Sequence, residues 1–316
     1  MIEQRPLGNS GMTVSAIGLG CVTFGREIDP DTAFEIMDHA LENGIDFFDT
    51  AEGYSSGEVP SEVVIGNWMR SRGVRDEVKI CTKVSSGGTA ENVRRALAQS
   101  LERLQVDKVE MYKAHSAFQD APFEEYLGAM NEGVEAGQTD VIGCSNFRAD
   151  QLQEALDTSD GNGWARFQIT QPPYSLARSN NPSHLDRVEA EAEFFPLCVK
   201  EGVGITPYSP LAAGFLAGKY TPDRSKFPKG TRFDVMPGHA DIYFEDRNFK
   251  LVEKLRAKSE EIGLPMVKLA MAWVMANTSL TSVLIGARRT AHVDNAIEAM
   301  EMDLSPELHA EMAAWA

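Results

Sequence analysis

VKICTKVSSGGTAENVRRALAQSLERLQVDKVEMYKAH, residues 78–115, holds two short apolar runs separated by an amphipathic stretch. The outer runs, VKICTK (78–83) and VEMYKAH (109–115), are too short for helices and rich enough in apolar residues to be strands buried on both faces. Between them Val93, Leu97, Leu101 and Leu104 recur at helical spacing, giving one apolar stripe over residues 90–104. Strand, helix, strand is a crossover unit, and it joins parallel strands.

The unit repeats along the chain. AIGLG (16–20), IDFFD (45–49), VIGCS (141–145), FQITQ (167–171), VGITP (203–207) and SVLIG (282–286) have the same strand character. Helical patterns over 32–43, 62–72, 123–136, 150–156, 189–200, 248–262, 267–276 and 293–300 lie between or after them, several ending on a C-terminal Gly such as Gly44, Gly73 or Gly137. Eight strands alternating with helices predict a (β/α)8 TIM barrel, with a doubly wound open sheet as the competing α/β arrangement. Ahead of the first strand, Gly8-Asn9-Ser10-Gly11 between Pro6 and Val14 predicts an N-terminal β-hairpin that could plug the bottom of a barrel. The chain of 316 residues is expected to form a single barrel domain, 1–316.

Composition narrows the function. Thirty Lys and Arg against 47 Asp and Glu leave a formal net charge of −17, which disfavours nucleic acid and anionic membranes as partners. The opening MIEQRPLGNSGM lacks a signal-peptide pattern and no apolar stretch is long enough to span a bilayer. The four cysteines (Cys21, Cys81, Cys144, Cys198) form no metal-ligand spacing, so free thiols, a cytoplasmic location and no metal site are expected. A homo-oligomer is compatible with all of this.

In a barrel, catalytic groups sit at the C-terminal ends of the strands. Those ends carry Asp49, Lys83 and His115, with Tyr54 in the loop after Asp49. A phenol ordinarily titrates near pH 10, and a neighbouring ammonium favours its phenolate, so Lys83 is expected to lower Tyr54 while Asp49 holds Lys83 and His115 orients the reacting oxygen. The set suits acid–base exchange between a carbonyl and an alcohol. Gly18-Leu19-Gly20 lacks the third glycine of a Rossmann fingerprint, and residues 214–219 lack the length of a P-loop.

FFDTAEGY (47–54), ICTK (80–83), the His115 strand end, IGCSNF (142–147), QPPYSL (171–176), YSPLAAGFLAGKY (208–220) and VLIGARR (283–289) occur in an order that resembles the aldo-keto reductase family over nearly the whole chain. The resemblance implies a (β/α)8 barrel with an N-terminal hairpin and NADP(H)-dependent reduction of aldehydes or ketones. Its catalytic tetrad falls on Asp49, Tyr54, Lys83 and His115, with Tyr54 as general acid. It also implies that Ser145, Asn146 and Gln171 bind the nicotinamide carboxamide and that Tyr208 stacks on the ring. Ser209, Leu211, Gly214 and Lys219 would follow the pyrophosphate, and Gly286, Ala287, Arg288, His292 and Asn295 would surround the adenosine and its 2′-phosphate. An alternative is an NADP-binding regulatory subunit of a membrane channel. Lys113 departs from the pattern, standing two residues before His115 where a neutral residue is expected. The Pro- and Gly-punctuated segment 222–246 is expected to be either a cover that closes over cofactor, bringing Lys226, Lys229 and Arg232 onto phosphate, or a permanently packed Ω-loop. The loops above the strand ends mix aromatic and charged residues, which suits a sugar or small polar carbonyl as substrate.

Overall fold

The computed structural model describes residues 2–183 and 185–315. β1 (Gln4–Pro6) and β2 (Thr13–Ser15) form an antiparallel hairpin in which Arg5 faces Val14. The eight strands that follow are β3 (Ile17–Gly20), β4 (Phe47–Asp49), β5 (Lys79–Val84), β6 (Val109–Ala114), β7 (Thr139–Ser145), β8 (Phe167–Gln171), β9 (Gly204–Ile205) and β10 (Val283–Gly286). They lie in one parallel sheet with β10 beside β3 and the rest in chain order out to β9. The two edges meet: Thr281 N donates to Ile205 O at 2.8 Å and Leu284 N to Pro207 O at 2.9 Å, which closes the (β/α)8 barrel. β9 is shorter than its apolar run because Pro207 has no N–H to give to a ladder.

Helices fill each crossover, and local chemistry sets their ends. The helix Ala90–Leu104 begins where Thr89 Oγ1 accepts from Asn92 N, buries Val93, Leu97, Leu101 and Leu104, and stops at Gln105 with φ 59°. A final helix, Pro306–Ala313, capped by Ser305, has no counterpart in the sequence patterns described above. The helix Ala149–Asn162 runs a turn beyond its apolar pattern, because residues 157–162 are mostly polar and carry no stripe.

The barrel interior is layered. Phe47, Cys81, Met111, Val141, Ile169 and Leu284 form an apolar cluster that Leu7 and Val14 of the hairpin complete, so the hairpin does plug the barrel's base. Gly8 is required there: at φ 53°, a Cβ on it would stand 2.3 Å from Gly202 O. Side chains on a strand alternate faces, so the next inward positions above Phe47, Cys81, Met111 and Ile169 are Asp49, Lys83, Lys113 and Gln171. An apolar floor therefore carries an ionic layer. All four cysteines are free and buried. No helix among the described residues is long and apolar enough to cross a membrane.

Segment 222–246 is more packed than its composition suggests. Phe227, Phe233, Tyr243 and Phe244 interlock with Phe215, Tyr220 and Phe249, ring centroids 4.5 Å apart for Tyr220 and Phe233. Two of its cations have carboxylate partners. Lys226 pairs with Asp223 at 2.8 Å and Arg232 with the buried Glu27 at 2.9 Å. The aromatic knot should hold residues 233–244 against amide hydrogen exchange with and without NADPH, leaving any gain in protection on cofactor addition to 222–232. Slow-with-cofactor, fast-without exchange across the whole segment would restore the picture of a free cover.

Candidate active site

The ionic layer is built around one carboxylate. Asp49 at the end of β4 is 2% exposed, and Lys83 and Lys113 are fully buried. Lys83 Nζ donates to Asp49 Oδ1 and to Thr50 O, both at 2.6 Å. Lys113 Nζ donates to Asp49 Oδ2 at 2.9 Å and to Gln171 Oε1, while Gln171 Nε2 reaches Asp49 Oδ1 at 3.2 Å. Burial alone would raise the Asp49 carboxyl, but the Lys113 and Lys83 ammoniums outweigh it and hold it at about 2. Burial works to lower Lys83, and Asp49 and Tyr54 overcome it, leaving the ammonium above its ordinary value.

Tyr54 lies over this pair. Lys83 Nζ stands 5.0 Å from its ring centroid, and the ring meets His115 edge-on at 5.7 Å. The net direction at Tyr54 is opposite to the sequence expectation. Protein crowded around the hydroxyl raises its pKa, and Lys83, though it pulls downward, does not compensate. The phenol is therefore firmly protonated, the form a general acid needs.

His115 takes its place from Ser85, whose Oγ lies 2.6 Å from Nδ1. Ser85 is itself held by Glu52, which accepts from Ser85 N at 2.9 Å. Burial, reinforced by Lys83, lowers His115 to about 3. An unfolded histidine titrates near 6.5, so between about pH 6.5 and 3 the unfolded chain binds more protons and stability falls as pH falls. Asp49 adds a second loss from about pH 4 to 2. Moving from pH 7 to 4.5 should cost the wild type about 2 kcal/mol more than His115→Gln, read as the difference in thermal unfolding between the two pH values. Equal losses would show that His115 is not held neutral.

The residues assigned to the nicotinamide end are linked to one another. Ser145 Oγ donates to Gln171 O at 2.9 Å, Asn146 Nδ2 to His115 O at 3.0 Å, and Tyr208 OH to Asn146 Oδ1 at 2.8 Å. Asn146 sits at φ 58° and Ser209 at φ 58°. Past the half-buried Leu211, the backbone makes a left-handed turn through Ala212, Ala213 and Gly214. Non-glycine residues held in this region cost free energy and cluster at ligand clamps. Here Asn146, Ser209, Ala212 and Ala213 are four of five such residues among those described, the other being the helix-ending Gln105.

Lys219 folds back toward this turn, its Nζ 3.4 Å from where a Cβ on Gly214 would stand. Crowding and then Arg288 and Arg289 lower its ammonium, and burial, Arg289, Lys219 and Arg288 lower His292. Like charges gathered this way in a chain of net charge −17 form a local site for an anion. Arg288 N donates to His292 Nδ1 at 3.3 Å, and the Arg288 guanidinium donates to Gly230 O and stands 3.7 Å from Glu27. Gly286 is exposed, Ala287 is buried, and Asn295 is half-buried on the helix Thr290–Met300. The left-handed turn through residues 212–214 and the cations Lys219, Arg288 and Arg289 suit an anionic, phosphorylated ligand.

The sequence singled out neither Glu27 nor Ser85, and it marked Lys113 only as a departure from the pattern. Lys113 lies buried against Asp49. The period of two along β6 was the available signal: residues 113 and 115 share a face, so a lysine two positions before the histidine points at the same interior.

A model of the Aldo/keto reductase family matches residues 16–316. The chain is 34% identical to the uncharacterized oxidoreductase YrpG of Bacillus subtilis (strain 168), over 97% of this chain and 94% of that protein. It is 30% identical to a probable voltage-gated potassium channel subunit beta of Arabidopsis thaliana, over 95% and 92%, and 30% identical to one of Oryza sativa subsp. japonica, over 97% and 94%.

Proposed function

The chain belongs to the aldo/keto reductase family, an oxidoreductase family that generally uses a nicotinamide cofactor on small carbonyl substrates, and on that premise we propose that it is an NADP(H)-dependent reductase of aldehydes or ketones with Tyr54 as general acid. The observation that carries the proposal is the Tyr54 ring held against Lys83 and His115, with Asp49 anchoring the lysine.

Each residue has a distinct task. A carbonyl oxygen resting between Tyr54 and His115 accepts a hydrogen bond from each before any proton moves. Ser85 Oγ pairs with Nδ1, and the neutral tautomer in which Nδ1 accepts that bond carries its proton on Nε2 and can donate there. When bound, the reduced nicotinamide supplies the hydride. As negative charge develops on the substrate oxygen, Tyr54 Oη gives up its proton to it. Lys83, fixed by Asp49 and Thr50, stabilises the phenolate left behind without having to move. Reversal, with the phenolate as base, oxidises an alcohol.

Ser145, Asn146, Gln171 and Tyr208 would hold the nicotinamide end. Ser209, Leu211, Gly214 and Lys219 would take the pyrophosphate, and Gly286, Ala287, Arg288, His292 and Asn295 the adenosine end. Gln171 brings only part of its amide to that task, because one lone pair and one N–H already serve Lys113 and Asp49. The mixed aromatic and charged loops above the strands support a sugar or other small polar carbonyl as substrate, and a single-domain, cytoplasmic enzyme, free to self-associate, is the setting we infer.

A channel-associated subunit remains the second reading, supported by the names of the two plant relatives. Aldehydes, ketones and sugars screened with NADPH and NADH separate the two. Turnover of at least one class at an ordinary enzymatic rate is expected, and tight NADPH binding with no turnover of any class would favour the subunit.

A further inference from the structure

Asp49 has more positive charge around it than it needs. Lys83 already matches its charge, and the Gln171 amide already satisfies a lone pair. Yet a second fully buried ammonium, Lys113, sits on the other carboxylate oxygen. Removing an ammonium from water is costly, and a neutral side chain at 113 would leave a complete ion pair below Tyr54. The facing strands make the excess plain. β4 contributes Asp49, β5 Lys83 and Cys81, β6 Lys113 and His115, β7 Ser145, and β8 Gln171. The Cys81 thiol is pushed up by burial, so it carries no balancing charge. The register confirms the proximity, since Lys83 and Lys113 are direct partners across β5 and β6.

We propose that Lys113 is a positioning residue that gives the catalytic core a net positive charge and holds the Gln171 amide in one orientation. The proposal rests on the reading of Tyr54 as the acid–base group. Lys113 acts through Asp49. With both oxygens paired, the carboxylate presents little uncompensated negative charge upward, so the phenolate form of Tyr54 is opposed less. The groups facing Tyr54 are Lys83, Asp49, His115, Cys21 and Tyr208, and of these Asp49 is the one whose field Lys113 changes most directly. The amide is fixed by the same contact: with Oε1 committed to Lys113, Gln171 turns Nε2 toward Asp49.

The test uses the pH dependence of alcohol oxidation with NADP+, where the phenolate is the active form. Lys113→Met should move the half-maximal pH upward by about one unit. Gln171→Glu, which keeps both ammoniums and cancels the excess charge, should move it the same way. Tyrosinate absorbance of the cofactor-free proteins, with that of Tyr54→Phe subtracted, should show the same displacement. A half-maximal pH that stays at the wild-type value in both variants, whatever their rates, overturns the proposal. If Lys113→Met does not fold, Gln171→Glu decides alone by the same criterion. Tyr54→Phe separates this from its premise. Full turnover there overturns the general-acid reading, whereas an unmoved pH midpoint beside an inactive Tyr54→Phe overturns the role of Lys113 only.

Discussion

Tyr54→Phe is expected to lower turnover by about a hundredfold or more while cofactor affinity stays near wild type, the scale of a lost general acid. The substitution removes one oxygen and leaves a ring of the same shape to meet His115 edge-on, as Tyr54 does now at 5.7 Å. No neighbour can substitute as acid. His115 holds no spare proton until about pH 3, and Lys83 is committed to Asp49 and Thr50. Lower pH should therefore fail to rescue the variant. Steady-state rates beside an NADPH fluorescence titration make the comparison. Near-normal turnover would remove Tyr54 from the chemistry.

Arg288→Ala is expected to weaken NADPH by about 1–3 kcal/mol and to leave NADH little changed, the size of a charged hydrogen bond to the one phosphate that distinguishes them. The guanidinium is well placed for exchange. It is only partly satisfied, by Gly230 O and by Glu27 at 3.7 Å, and it shares a cluster of like charge with Lys219 and Arg289. A phosphate would relieve that crowding. Titration of both cofactors into wild type and variant reads the outcome. Equal weakening of the two would move Arg288 to the pyrophosphate or to a structural role.

The barrel was legible because its strands are buried on both faces and so appear as unbroken apolar runs, IDFFD and VIGCS among them. The strand-end rule then located Asp49, Lys83 and His115 without coordinates, and the Gly8–Gly11 turn marked the hairpin. What escaped depends on distances between segments remote in sequence. That Lys113 shares a carboxylate with Lys83 follows from the register of β5 with β6, which no local pattern encodes. Glu27 and Arg232 meet across 205 positions. The direction of the Tyr54 shift turned on how tightly its hydroxyl is enclosed, a quantity of packing rather than of residue type. The packing of segment 222–246 was hidden for a similar reason: its prolines and glycines are visible in the sequence, but its phenylalanines become a core only when Phe215 and Phe249 arrive from either side.

The sealed thiols bear on what this barrel can safely handle. Carbonyl compounds are electrophiles, and sulfur is the nucleophile proteins most readily lose to them, but only as thiolate. Cys21 adjoins the site through its backbone, its N–H bonded to Asp49 O at 2.8 Å; Cys81 lies in the barrel interior beneath Lys83, and Cys144 lies on the outward face of β7 beside Thr170. Burial drives all three upward, Cys81 to about 11 and Cys144 to about 12, with Asp49 adding to the rise at Cys21. A reactive aldehyde or enone entering the mouth thus meets phenol, imidazole and ammonium but no sulfur anion to alkylate. The ionic layer at the barrel's mouth is matched by thiols kept in their unreactive, protonated form.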